Sequence, residues 1–216
     1  MFVSKSMSKN VVTISKDAGV VEARNVMTQN GFRHLPVVDD QDHLIGIITD
    51  RDIRSAMPFD RDQSADGSDM KDARVETAMS TSPRAVSPID TIQDVLLLFQ
   101  QNRVGAFPVV DDQNRVIGVI SVRDLLRAFT NVLGIGEPGV LLCIVVEEKV
   151  GQLKRIVDAI TEEGISLGSI LVARHWDEDK RAVFPYLLTL NVGGVKNKLK
   201  KMGFTLMEPL DWTLEQ

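Results

Sequence analysis

Residues 36–52 read PVVDDQDHLIGIITDRD, and residues 108–124 read PVVDDQNRVIGVISVRD. In each, an apolar run (LPVV or FPVV) meets an Asp-rich turn and then a second apolar run (LIGII or VIGVI). Short apolar runs on either side of a polar turn predict two buried strands joined by a hairpin. The pairs Asp39-Asp40 and Asp111-Asp112 fall where the turn needs side chains that tolerate left-handed backbone and bond their own chain. That role accounts for them without a metal ion.

Sliding the chain by 72 residues also aligns Met7-Ser8 with Met79-Ser80 and Asn30 with Asn102, so a whole segment is duplicated. The period exceeds the roughly 20 to 50 residues of stacked solenoid units and predicts a pair of subdomains facing each other. Each copy opens with a short extended piece, VVTI at 11–14 or RAVS at 84–87, followed by a helix. In the second copy Thr91 and Asp94 form a capping box, and Ile92, Val95, Leu96 and Phe99 make an apolar helix face. Val20, Ala23, Val26 and Met27 make a weaker one in the first. The copies are expected at 1–56 and 74–130, joined by a flexible linker at 57–73 whose Asp, Ser and Gly have little to bury. A second linker at 131–139, containing GIGEPG, closes the duplicated part, and a third unit runs over 140–210 before a tail at 211–216.

The bulk properties fit this plan. With 216 residues there is chain enough for two or three small cores. Hydrophobic content of 44% and charged content of 25% are those of a soluble globular protein, and a net charge of -5 offers no field for nucleic acid or an anionic membrane. No apolar run approaches the ~20 residues of a membrane span, and MFVSKSMSKN lacks the apolar stretch of a signal peptide. The only cysteine, Cys143, lies in VLLCIVV and reads as a core residue, which suits a reducing cytoplasm.

The second apolar run of each copy ends in Thr49-Asp50-Arg51-Asp52 or Ser121-Val122-Arg123-Asp124, the [ST]-x-x-D pattern of a helix start. As caps, the hydroxyl and the carboxylate stabilise the helix by roughly 1 kcal/mol each. The same groups suit a nucleotide: a helix start attracts phosphate, the carboxylate accepts from ribose hydroxyls, and Arg51 or Arg123 adds a cation. An apolar slot for a base lies between the extended piece (Thr13, Ile14; Ala85, Val86) and the segment ending at Pro36 or Pro108. The copies differ in that Arg33 and His34 stand opposite Gly105 and Ala106, and Asp50 opposite Val122. Arg33 offsets the charge Asp50 adds near a phosphate.

Taken together, extended piece, helix, h-P-V-V-D and h-I-G-h-h-[ST]-x-x-D, given twice, resemble a tandem pair of CBS domains, a Bateman module, over about residues 1–130. The resemblance implies an α+β fold in which two βαββα subdomains pack about a pseudo-twofold axis and leave two clefts for adenine nucleotides or related adenosyl ligands. Carried over by position, Thr49 and Asp52 in one cleft and Ser121 and Asp124 in the other would take ribose and phosphate. Thr13, Ile14, Leu35 and Pro36, with Ala85, Val86, Phe107 and Pro108, would line the adenine slots.

In the third unit, VLLCIVV predicts a strand, and GQLKRIVDAITEEG at 151–164 a helix with Leu153, Ile156, Val157 and Ile160 on one face and Gly164 as its stop. ISLGSILVAR and VFPYLLTLNV flank a polar turn, then VKNKLKKMG and FTLME follow as helix and strand. This order is βαββαβ, a ferredoxin-like split unit. The opening EEKVGQLKRI is similar to that of ACT domains, with Val150 where that family has proline. The resemblance implies an amino-acid site at Val150, Gly151, Gln152, Ile165 and Ser166; the alternative is that Gly151 only turns the chain into its helix. Domain order and size also resemble the bacterial acetoin-utilisation regulatory proteins.

The reading is a non-catalytic regulator that needs no cofactor, takes an adenosyl effector (AMP, ADP, ATP, NAD or S-adenosylmethionine), forms a homodimer and acts on a target the sequence does not name. Three alternatives stand beside it: an amino-acid sensor using the CBS pair as a dimerisation scaffold, a purely structural dimerisation module with vestigial clefts, and an enzyme. Against the enzyme, His34, His43 and His175 show no metal-ligand spacing, and no nucleophile-elbow or Walker-type stretch is present.

Overall fold

Alternate residues of LIGIIT are buried: Leu44, Gly46 and Ile48 point into the protein while Ile45, Ile47 and Thr49 are half-buried, the period of a strand with one face on a core. The structure, a computed structural model, describes residues 1–56, 73–102, 104–177 and 179–207. The linker expected at 57–73, apart from Ala73, and the tail at 211–216 lie outside the described residues. The chain divides into two units, Met1–Leu126 and Arg127–Gln216.

In the first unit the chain forms β1 (Ile14–Ser15), α1 (Val20–Asn30), β2 (His34–Val38), β3 (Leu44–Thr49), α2 (Asp50–Ala56), α3 (Val75–Ala78), β4 (Ser80–Thr81), α4 (Ile92–Asn102), β5 (Ala106–Val110) and β6 (Val116–Ser121). The boundary between the units falls within the next helix, α5 (Val122–Leu133). β2 and β3 form the expected hairpin, with Leu35 opposite Ile48 and Val37 opposite Gly46; β5 and β6 repeat it, with Phe107 opposite Ile120 and Val109 opposite Gly118. Both hairpins turn in the same way. Asp39 Oδ1 accepts from the N–H groups of Gln41 and His43, both at 2.9 Å, and Asp111 Oδ1 accepts from those of Gln113 and Arg115 at 3.0 and 2.8 Å. Asp42 and Asn114 supply the left-handed position, at φ of 64° and 62°. The two turns then bond each other, the Leu44 N–H to the Asn114 carbonyl and the Val116 N–H to the Asp42 carbonyl.

The two copies also exchange their leading segments. β4, near the start of the second copy in sequence, pairs with β3 of the first, Ser80 opposite Ile47. Its counterpart 72 residues earlier, Ser8, bridges to Val119 in β6 of the second copy. The turns just before them follow suit: Val75 is buried with Ile14, Leu35 and Ile48, whereas Val3 is buried with Phe99, Phe107 and Ile120. The glycine of each I-G pair makes the crossing possible. A Cβ on Gly46 would lie 2.6 Å from Met79 Sδ, and one on Gly118 would lie 2.8 Å from Met7 Sδ and 2.9 Å from the Ser8 carbonyl oxygen.

The second unit contains β7 (Val140–Leu141), β8 (Cys143–Glu147), α6 (Gln152–Thr161), β9 (Leu167–Asp177), β10 (Lys180–Leu187), α7 (Gly193–Lys201) and β11 (Thr205–Met207). Its sheet is antiparallel in the order β11, β8, β10, β9, with β7 against the far end of β10. VLLCIVV, expected as one strand, is divided at Leu142. There its N–H donates to the carbonyl of Pro185, which has no N–H to return. Ile156, Ala159 and Ile160 of α6 pack on Ile144, Val183 and Leu199. Leu153, expected on that face, is 43% exposed, one turn before the buried stripe begins. Cys143 is buried, and burial pushes its thiol pKa up, as befits a core residue.

Candidate functional site

Thr49 closes β3 and Asp52 lies in the first turn of α2, so the end of a core strand fixes both. Thr49 Oγ1 donates to Asp52 Oδ2 at 2.7 Å, the Thr49 N–H donates to the same oxygen at 2.9 Å, and the Asp52 N–H returns a bond to Thr49 Oγ1 at 3.2 Å. The capping box is therefore real in this copy. It uses only one carboxylate oxygen: among the described residues, Asp52 Oδ1 has no partner. Ser121 and Asp124 repeat the box, with Ser121 Oγ donating to Asp124 Oδ2 at 2.6 Å, but there the carboxylate is buried, at 6% exposure.

Thr49 and Asp52 face a cleft of about 620 Å³ within the first unit. One side comes from the first copy: Arg33 and His34 at the start of β2, Ile47 and Thr49 of β3, and Asp50, Arg51, Asp52 and Arg54 of α2. The other side comes from the second copy: Asn102 at the end of α4, then Val104, Gly105, Ala106, Phe107 and Pro108 leading into β5. Ser80 to Arg84, the exchanged segment, forms the rest of the wall. Arg54 is held by Asp50 at 3.0 Å, whereas among the described residues Arg33, Arg51 and Arg84 make no ion pair.

His34 stands where the copies meet. Burial lowers its pKa most, the Asp52 carboxylate works in the opposite sense, and Arg33 lowers it further. Its ring lies against Gly105, the residue that corresponds to Arg33 in the other copy.

The cleft brings together part of each group of residues read from the sequence. Arg33, Thr49, Arg51 and Asp52 line it as grouped from the sequence, but Thr13, Ile14, Leu35 and Pro36 do not. Ile14 and Leu35 are in the core of the first copy, at 7% and 0% exposure, and Pro36 is buried beside them. The apolar wall is supplied instead by Phe107 and Pro108, which the sequence grouping placed with Ser121, Arg123 and Asp124. The physical reason is the facing arrangement of the copies: the ends of β2 and β3 look across at β5 rather than at their own β1. Ala85 and Val86 lie outside the cleft, Val86 being in the core of the second copy at 3% exposure. Sequence reasoning missed Ser80, Thr81, Ser82, Pro83 and Arg84. The signal available was the alignment of Met7-Ser8 with Met79-Ser80, ahead of the extended piece in both copies.

In the second unit a cleft of about 820 Å³ is lined by Glu147, Gln152, Arg155, Lys180 and the Gly203–Thr205 segment, among others. Of the five positions carried over there, it includes Gln152 alone. Val150 is fully exposed, and Gly151 holds φ of 92° as α6 begins, a conformation that favours glycine for the turn itself. Ile165 and Ser166 follow the other end of α6, so a single chain does not bring the five together.

A model of the CBS domain matches residues 3–58 and again 74–131. The chain belongs to the CBS-domain family. Among curated relatives of this CBS protein, the inosine-5'-monophosphate dehydrogenase of Methanocaldococcus jannaschii is 37% identical over 119 residues, 55% of this chain and 22% of the enzyme. The chain thus spans less than a quarter of that relative's length. Among solved structures, the CBS domain pair of protein MJ0100 in complex with 5-methylthioadenosine and S-adenosyl-L-methionine is similar at TM-score 0.52 and 26% identity, covering 60% of this chain and 95% of that one. CBSX2 in complex with AMP is similar at TM-score 0.53 and 25% identity, covering 63% and 98%. No helix among the described residues is long and apolar enough to cross a membrane, and none of their His, Cys, Asp and Glu side chains form a group suited to a metal ion.

Proposed function

We propose that this CBS protein is a non-catalytic cytoplasmic regulator that binds an adenine nucleotide or related adenosyl ligand in the cleft headed by Thr49 and Asp52. The observation that carries the reading is that Asp52, whose Oδ1 has no partner among the described residues, lines one cleft together with Ala106, Phe107 and Pro108 of the other copy. A carboxylate oxygen without a partner accepts from ribose hydroxyls, and Ala106 and Pro108 give the purine an apolar surface. Such a ligand touches both copies at once, so its binding free energy favours one arrangement of the pair. Coupling to the second unit, read as a ferredoxin-like ACT-like domain, turns that preference into a signal for a partner protein. The proposed regulator is a homodimer that acts on acetoin or related carbon metabolism, a role that domain order and size support.

The test is isothermal titration calorimetry of the full chain with adenosyl ligands, repeated on Asp52→Asn. Saturable binding that weakens by tenfold or more in the variant supports the reading; unchanged affinity removes Asp52 from it. A second reading, an amino-acid sensor in the second unit, draws support from the cleft beside Gln152 and Arg155. A response to amino acids with silence from every adenosyl compound would favour it.

A further inference from the structure

Resting on the nucleotide reading above, we infer that the cleft selects phosphate-bearing adenine nucleotides over uncharged or sulfonium adenosyl compounds. Among the described residues, four arginines and two aspartates line it, a balance of two positive charges on a chain whose net charge is -5. Arg54 is matched by Asp50 at 3.0 Å, and among the described residues Arg33, Arg51 and Arg84 have no acidic partner. These three come from separate elements: the approach to β2, the first turn of α2, and the segment after β4. Three like charges lining one cleft make a positive field there that favours a polyanion. Guanidinium groups also match phosphate oxygens with paired N–H donors.

The repeat itself supplies a control. Sliding by 72 residues carries Arg51 to Arg123, but Arg33 to Gly105 and Arg84 to Val12. The shared architecture therefore asks for at most one of the three, and the other two are particular to their own copy. Asp52, with its open oxygen, suits the ribose and repels phosphate, which leaves the arginines for the phosphates. S-adenosylmethionine would place a cation among those arginines, and methylthioadenosine would leave them uncompensated.

The experiment is calorimetry of the full chain with ATP, AMP, adenosine, methylthioadenosine and S-adenosylmethionine, at low and at physiological ionic strength. The same series is run on Arg51→Gln/Arg84→Gln, whose substituted side chains are exposed and outside the cores. ATP is expected to bind tightest and S-adenosylmethionine weakest. ATP affinity falls with salt, and it drops about a hundredfold in the double variant, roughly tenfold per charge-assisted contact, while adenosine changes less than threefold. S-adenosylmethionine or methylthioadenosine binding as tightly as ATP overturns the charge selection and leaves the nucleotide reading in place. Equal losses of ATP and adenosine in the variant do the same, because the arginines then do not act on phosphate. Silence from all five ligands overturns both the selection and the reading.

Discussion

The imidazole of His34 stands where a side chain on Gly105 would begin: a Cβ there would lie 2.6 Å from His34 Cε1 and 2.9 Å from Nε2. The residue pair that breaks the symmetry of the two copies is thus a steric pair, one large and one absent side chain sharing a site beside the cleft. Gly105→Ala must push the ring aside. It is expected to cost about 1 to 2 kcal/mol of stability, and His34→Ala in the same chain should recover most of that loss. Urea unfolding of the two single variants and the double variant measures the coupling; additive losses would mean the ring and the glycine do not compete.

The same ring sets a pH dependence. Burial holds the folded-state pKa of His34 below its ordinary value of about 6.5, against the pull of Asp52. As pH falls through about 6.5, the unfolded chain takes up a proton that the folded chain resists. The stability is therefore fully present above that pH and is lost as pH falls toward the folded pKa. Thermal unfolding between pH 5 and pH 8 should show a steeper acid loss for the wild-type chain than for His34→Gln, and parallel curves would mean that His34 titrates alike in both states.

The number of ligands per chain follows from how the repeat departs from itself. At the positions corresponding to Val104, Gly105 and Ala106 of the described cleft, the other copy carries Phe32, Arg33 and His34. Larger side chains stand at these three positions, beside Leu35 and Pro36 in place of Phe107 and Pro108, and Asp124, unlike Asp52, is buried. One nucleotide per chain is expected. Asp52→Asn should abolish it, and Asp124→Asn should lower stability with little change in affinity. Calorimetric stoichiometry near two, or equal affinity losses from the two variants, would show both sites at work.

Much of the first unit was legible because its local chemistry admits one reading. Asp39 and Asp111 act as turn residues, Thr49 and Asp52 as a capping box, and the hairpins have the register that their apolar runs imply. The make-up of the cleft was not legible, since a duplicated pattern specifies the same contacts for both copies and is silent on which copy completes which sheet. Thr49 therefore lines a cleft with Pro108 rather than with Pro36. In the second unit, alternation and periodicity located the strands and helices. They could not show that Pro185, a strand residue without an N–H, would divide the strand facing it, or that Leu153 would precede the buried face of α6.

The exchange of leading segments gives the last expectation. Val3 is 0% exposed in the core of the second copy and Val75 is 0% exposed in the core of the first, each far in sequence from some of the strands it covers. Removing two methyl groups from either site leaves a cavity that backbone hydrogen bonds on both sides keep from collapsing, as with the Val3 N–H to the Asp90 carbonyl at 2.9 Å. Val3→Ala and Val75→Ala should each cost about 2 kcal/mol. Hydrogen exchange distinguishes them: Val3→Ala is expected to speed exchange first in α4, β5 and β6, and Val75→Ala in α1, β2 and β3. If each variant instead loosened the copy adjacent to it in sequence, Val3 the first and Val75 the second, the segments would not be exchanged in solution, and Arg84 would lose its place in the wall of the cleft.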